Sequence, residues 1–322
     1  MALTRTASGG LVACTLMSAA RTGSKGPSIQ CSKLVSSVIA KTRIANCSSR
    51  GYATVLDTAT LLKKSNTSKG TGFKRPTKRF WEKANIKTTE DGHQINLDVR
   101  PIRTSSGHPL IVPHNKTILA HLIVQEWATL PSLQIKPHSL PLTSLAARAI
   151  DITKSEDAKV TKESIVKPLL PYLDTDTMLI FAPSAEYNGA LRKAQEEIYR
   201  PMIEWAEAQV FKGAKLNFSD GDKGLTGNMQ SESIKRTAAA WANSLDVWQL
   251  TAFERAVLEG KSFLGGIKLV NREISTSDLA EAVTLEVLHQ MKRWGEVEDS
   301  HDVDWADLRR QIASAAVLVI TD

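Results

Sequence analysis

Apolar and polar positions recur along this chain with two different periods, and the change of period divides it. From Arg79 to Pro113 the period is two: "ANIKT", "HQINLDV" and "PLIV" are short runs separated by "EDG" (Glu90–Gly92) and "SSG" (Ser105–Gly107). Runs of that length between turn residues predict a small antiparallel meander. From Asn115 the spacing becomes helical, with Ile118, Leu122, Ile123 and Trp127 on one face and Asn115 placed to cap. Further helices are expected at "LTSLAARAID" and from about Lys159 to Leu173. The apolar run Met178–Phe181 predicts a strand returning to the sheet. Beyond it the pattern is almost wholly helical, over 185–209, 231–258, 278–294 and 303–320. In the third of these Leu279, Val283, Val287 and Met291 recur every four residues, and Asp278 with Glu281 forms a capping pair. The fold class expected is α+β: an N-terminal lobe with antiparallel strands (79–182), then a C-terminal helical bundle (183–322).

Charge changes the reading of what precedes Arg79. From Met1 to Tyr52 there are seven basic residues and no acidic one, amid abundant Ser, Thr and Ala. The apolar stretch "LVACTLMSAA" is only ten residues long, too short to span a bilayer. This composition is that of a mitochondrial transit peptide. "RGYAT" (Arg50–Thr54) has the form of a processing site, which places cleavage after Tyr52. Residues 53–78 mix Ser, Thr, Gly and Lys without periodicity and read as a flexible lead-in.

Removing residues 1–52 leaves 34 basic residues against 34 acidic ones, so no global field for a polyanion remains. Nucleic acid is therefore a poor partner for the mature chain. All three cysteines (Cys14, Cys31, Cys47) leave with that segment, and with them any disulfide, thiolate metal site or cysteine nucleophile. None of the seven histidines is spaced as HxH, HxxxH or HExxH with another, so no zinc site is expected. Neither a GxSxG elbow nor a Walker A sequence in a suitable setting is present, and no cofactor is expected.

One stretch does spell like an active site. In "LLPYLDTDTMLIF" (Leu169–Phe181) Asp174 and Asp176 flank Thr175, as in an aspartyl phosphotransferase. That chemistry needs the first Asp at the end of a strand, whereas here the strand-like run follows the motif. Asp174 and Thr175 are expected instead to cap or turn the chain between helix and strand by accepting backbone N–H bonds, with no catalytic residue. The densest charge lies in "WGEVEDSHDVDWAD" (Trp294–Asp307), with six carboxylates around one histidine and no DxDxDG calcium pattern. Gly295 ends one helix and Ser300 is the expected cap of the next, whose dipole favours nearby acids. Six acids exceed that need, and a protein-binding patch is the sharper expectation.

"RFW" at Arg79, "INLDVR" at Ile95, "EW" at Glu126, "LPLTSLAARAID" at Leu140, "YLDTDT" at Tyr172, "RPMIEWA" at Arg200 and "WGEVEDSHD" at Trp294 occur in that order. Together they resemble the family of mitochondrial assembly chaperones that protect the α subunit of the ATP synthase F-one catalytic head. The resemblance runs from about Arg79 to Ile320 and departs from the family pattern at Trp81, Leu140, Arg148 and Asp299. It implies a matrix chaperone without catalytic activity that holds the free α subunit until the β subunit replaces it. It implies no small-molecule substrate and no membrane insertion. Glu298, His301 and Asp302 of the acidic turn are the expected partner-binding residues, with Trp127 and Trp205 as aromatic candidates whose spacing also suits core packing. The enzyme alternative is a matrix phosphatase using Asp174 as nucleophile.

Overall fold

The computed structural model describes residues 79–130, 139–224 and 228–322. The transit segment, its cleavage site and the lead-in lie outside the described residues.

The strand lobe forms as its alternation dictates. β1 (Ala84–Thr89) pairs antiparallel with β2 (Gly92–Leu97), Ala84 opposite Leu97 and Thr89 opposite Gly92. Glu90 and Asp91 are left as the turn between them. Two short strands, β3 (Arg100–Pro101) and β4 (Ile111–Val112), also pair with β2. Gly92 is obligatory here: its φ is 142°, and a Cβ on it would lie 2.2 Å from the Val112 carbonyl oxygen. Helix α1 (Thr117–Thr129) packs across β1 and β2 and buries Leu119 and Ile123 in the core that also holds Ile95.

Asn115 does not cap α1. The first N–H of the helix, on Thr117, is instead met by the Asp322 carboxylate at 2.6 Å, while Asn115 contributes its carbonyl to Asp322 N. The buried Lys116 donates to the carbonyls of Leu318 and Ile320 at 2.6 and 3.1 Å. Burial holds its ammonium below the usual lysine range, opposed by Asp246 and Asp322. Strand lobe and last helix are thereby fastened at one point.

The helical part contains α2 (Pro141–Thr153), α3 (Ala158–Val166), α4 (Ala190–Gln209), α5 (Glu232–Ser244), α6 (Val247–Gly260), α7 (Phe263–Val270), α8 (Thr276–Trp294) and α9 (His301–Val319). α6 is the central post, with α9, α7 and α2 packed around it. An Arg148–Glu254 fork, with N–O distances of 2.5 and 2.6 Å, joins α2 to α6. A planar guanidinium facing a carboxylate in this way fixes direction as well as distance. A continuous set of buried apolar side chains runs from Trp81 to Val319. Among the described residues no helix is long and apolar enough to cross a membrane.

Four further expectations change. Met178–Phe181 does not return to the sheet. It forms a 3-10 turn (Thr177–Leu179) and then β5 (Ile180–Phe181), which pairs in parallel with β6 (Ser219–Asp220). The helix expected over 231–258 is two helices, because Asp246 and Gln249 form a reciprocal capping box that starts α6 anew. Helix α8 is capped by Ser275, whose hydroxyl accepts from Asp278 N, so Asp278 lies inside the first turn. Helix α7 was not expected at all.

Gly92→Ala is expected to lower the unfolding free energy by about 2 kcal/mol or more, through both the clash and the backbone angle. Urea unfolding of the purified variant measures it, and an unchanged midpoint would contradict the tight β2–β4 approach.

Candidate functional site

The two aspartates of "DTDT" are both consumed by architecture. Asp174 Oδ1 accepts from Gln230 N and Oδ2 from Lys235 Nζ, each at 2.7 Å. Asp176 is 0% exposed. Its Oδ1 accepts from Met178 N at 2.9 Å and Ser262 Oγ at 2.7 Å, and its Oδ2 from Leu264 N at 2.9 Å. It therefore starts its own 3-10 turn and simultaneously faces the N-terminus of α7, where unpaired amides and the helix dipole favour an anion. Burial pushes its carboxyl up to about 6, against the pull of those donors. The cap expected at Asp174 and Thr175 is made by Asp176, and Asp174 accepts instead from Gln230 and Lys235, far along the chain.

Other quoted motifs are joints of the same kind. Trp81 Nε1 donates to the Trp127 carbonyl at 3.3 Å, and the two indoles meet edge to face at 5.1 Å. Trp127 Nε1 donates to Thr143 Oγ1 at 3.0 Å. Glu126 accepts from the N–H groups of Leu142 and Thr143 at 2.8 and 2.9 Å and from the Thr143 hydroxyl, so it caps α2 from α1. Burial raises its pKa, and these donors draw it back. "RFW", "EW" and "LPLT" thus meet in one place. Arg200 of "RPMIEWA" lies over the Phe181 and Phe218 rings at 4.7 and 4.3 Å.

Trp127 is buried in this joint. Trp205 is half-buried on α4 under the Lys268 ammonium, 4.9 Å from its ring. Among the described residues no hydrogen bond, ion pair or ring contact links either tryptophan to the acidic turn. A cleft of about 450 Å³ lies between α1, α2 and α9. Its one carboxylate is Glu126, already committed to capping. Among the described residues there is also no group of three or more His, Asp or Glu placed to hold a metal ion.

The acidic turn is different. It links α8 to α9, and Glu296, Glu298, Asp299, Asp302 and Asp304 are all exposed. None of the five forms an ion pair or a side-chain hydrogen bond among the described residues, whereas Asp307 pairs with Arg310. Ser300 occupies the cap position of α9 without a capping bond from its hydroxyl. His301 shapes the turn instead: its Nδ1 accepts from Val297 N at 3.0 Å. Gly295 and Asp299 take left-handed backbone angles, φ 90° and 64°, that bring the chain around. Asp302 and Asp304 lie in the first turn of α9, where the dipole favours them. Glu296, Glu298 and Asp299 precede it and gain little from that field.

Sequence reasoning missed what borders this turn. Tyr187, which precedes α4, packs edge to face on Trp294 at the end of α8, with ring centroids 5.9 Å apart. Only the position of Trp294 beside a helix-ending glycine could have hinted at it.

Comparison with known proteins gives consistent results. A family profile described as "ATP12 chaperone protein" matches residues 78–207. The chain is similar to "Protein ATP12, mitochondrial" of Saccharomyces cerevisiae, 40% identical over 272 residues, covering 76% of this chain and 84% of the yeast protein. It is 39% identical over 241 residues to "Protein atp12, mitochondrial" of Schizosaccharomyces pombe, covering 75% of this chain and 81% of that protein. The crystal structure of Atp12 from Paracoccus denitrificans superposes with a TM-score of 0.61 at 26% identity, covering 75% of this chain and 97% of the bacterial one.

The Asp176 geometry predicts a pH dependence of stability. Its carboxyl rises from an ordinary value near 3.8 to about 6 on folding, so between those values the folded chain retains a proton that the unfolded chain has lost. The stability that this retained proton confers is complete below the unfolded value and is lost as pH rises through about 6, by roughly 3 kcal/mol at about 1.4 kcal/mol per unit. Urea unfolding at intervals from about pH 4 to pH 7 should show this slope in the wild type and not in Asp176→Asn. Parallel profiles would mean the carboxyl titrates normally.

Proposed function

The chain belongs to the ATP12 chaperone family, and from that premise we propose that it is a mitochondrial matrix chaperone for the free α subunit of the ATP synthase catalytic head. It holds that subunit, keeps it from aggregating and yields it to the β subunit. Two readings support the location: the basic, acid-free residues 1–52, and relatives that are named as mitochondrial proteins.

The single observation that carries the binding reading is the group of five unpaired carboxylates in the turn after α8 and the first turn of α9. Elsewhere in the molecule charged side chains are put to structural use: Asp174 on Lys235, Arg148 on Glu254, Arg192 on Asp220, Glu207 on Lys215. Among the described residues, this turn concentrates charge without an internal partner. Charge of this kind steers a basic partner and sets salt dependence more than it sets tightness. That suits a chaperone, which must capture its client and later release it. Holding the client also lowers the free concentration available for aggregation, by mass action. Glu298, His301 and Asp302 are the contact residues in this reading, the histidine by keeping the turn in shape. No nucleotide is required for release, because replacement by the β subunit is an exchange of interfaces.

Glu298→Lys is the direct test. The exchange puts a cation among the remaining carboxylates and leaves no internal bond broken. Capture of purified α subunit should weaken about tenfold at low salt, and the difference should shrink as salt screens it. Circular dichroism should be unchanged. Wild-type capture by this variant at low salt would remove the acidic turn from the interface.

A further inference from the structure

The acidic turn borders an aromatic surface formed by the exposed Trp294 and the half-buried Tyr187. Trp294 ends α8 with 69% of its surface exposed, an unusual condition for so large an apolar side chain. Val297, within the turn, and Val303, in the first turn of α9, are each 61% exposed. Val287 lies two helical turns before Trp294 on the same face of α8 and is also exposed. Among the other exposed apolar residues, Val99 and Val160 stand singly, and Ile118 and Leu122 lie one turn apart on α1.

This surface is held in shape. The Arg293 guanidinium carbon sits 5.5 Å from the centre of the Tyr187 ring and 5.6 Å from that of Trp294, so one cation stacks against both. Tyr187 reaches them from a strained backbone. Tyr187, Asn188 and Gly189 are consecutive and all left-handed, with φ of 49°, 55° and 79°. Two non-glycine residues in that region cost free energy, offset in part by the packing of Tyr187 against the core edge, and such strain collects at binding surfaces. Trp, Tyr and Arg are also the residue types that dominate the energy of protein interfaces.

We propose that Tyr187, Arg293 and Trp294, with Val287, Val297 and Val303, form an apolar docking shelf. Its occupant is a segment of the client subunit that is apolar on one side and carries Lys or Arg on its flank. Charge complementarity selects this occupant. The shelf's own cation is already stacked over its rings, and the five unpaired carboxylates beside it leave room for basic groups and repel an acidic segment. The inference rests on the client-holding reading above and divides the labour within it: the carboxylates attract and orient, and the shelf retains.

The test uses the full chain and purified α subunit. Trp294→Ala and Tyr187→Ala should each raise Kd about tenfold or more, and the loss should persist at about 0.5 M salt, where the Glu298→Lys effect fades. Trp294→Phe should recover much of the affinity, and Val160→Ala, at an exposed valine elsewhere, should leave it unchanged. Thermal melts of each variant exclude unfolding as the cause. If the wild type captures the client and both shelf variants capture it equally well, the shelf is overturned and the function stands. If the wild type captures no client, both fall. If sedimentation shows that the wild type self-associates and that Trp294→Ala abolishes this, the shelf is an interface between copies and the proposal fails.

Discussion

The helical part is organised around a fully buried carboxylate, Asp176, that has no cation beside it among the described residues. Asp176 is tolerable there only because four groups converge on it from two directions: the amides of Met178, Phe263 and Leu264, and the Ser262 hydroxyl. An unpaired ion at this depth would cost several kcal/mol. The N-terminus of α7 therefore has one permitted position relative to the 3-10 turn. α7 is buried on nearly every side, against α6, α4 and α8, so fixing its start fixes the layer that the other helices pack upon.

The same arrangement explains why α7 was not legible. "FLGGIKLV" is continuous apolar sequence with two glycines, and neither feature signals a helix. The glycines are there for proximity. A Cβ on Gly265 would meet Leu279 and Met178 at 2.7 and 3.2 Å, and one on Gly266 would meet Val257 and Phe253 at 2.7 and 3.0 Å. Tertiary packing overrides local propensity in this segment. By contrast β1 and β2 were legible because alternation and the Glu90–Gly92 turn act locally. The break between α5 and α6 was legible in principle, since Asp246 and Gln249 have capping-box spacing. β5 was read as a strand but given the wrong partner, because nothing in Met178–Phe181 encodes Ser219.

The candidate site divides along the same line. Charge concentrated in one stretch is visible in sequence, and so was the acidic turn. The Tyr187–Trp294 contact was not, because it joins residues far apart in the chain and depends on a loop turned left-handed at Tyr187 and Asn188. Several quoted motifs that look like chemistry are intramolecular fasteners: Asp174 on Lys235, Glu126 on the start of α2, Trp81 on Trp127. A residue type suited to catalysis is equally suited to satisfying a helix end, and only its partners distinguish the two.

The fastening of α1 to the end of α9 has a consequence for the order of events in folding. Lys116 and Leu318 are 202 positions apart, yet the lysine head and the first amide of α1 find their acceptors only in the last residues of the chain. Closing so large a loop is entropically costly and slow. A polypeptide delivered from its N-terminus forward would build the meander early but leave α1 uncapped and Lys116 seeking water. The start of α1 could be fastened only after residues 318–322 had arrived. Until then the chaperone would itself be a partly open protein in need of shelter.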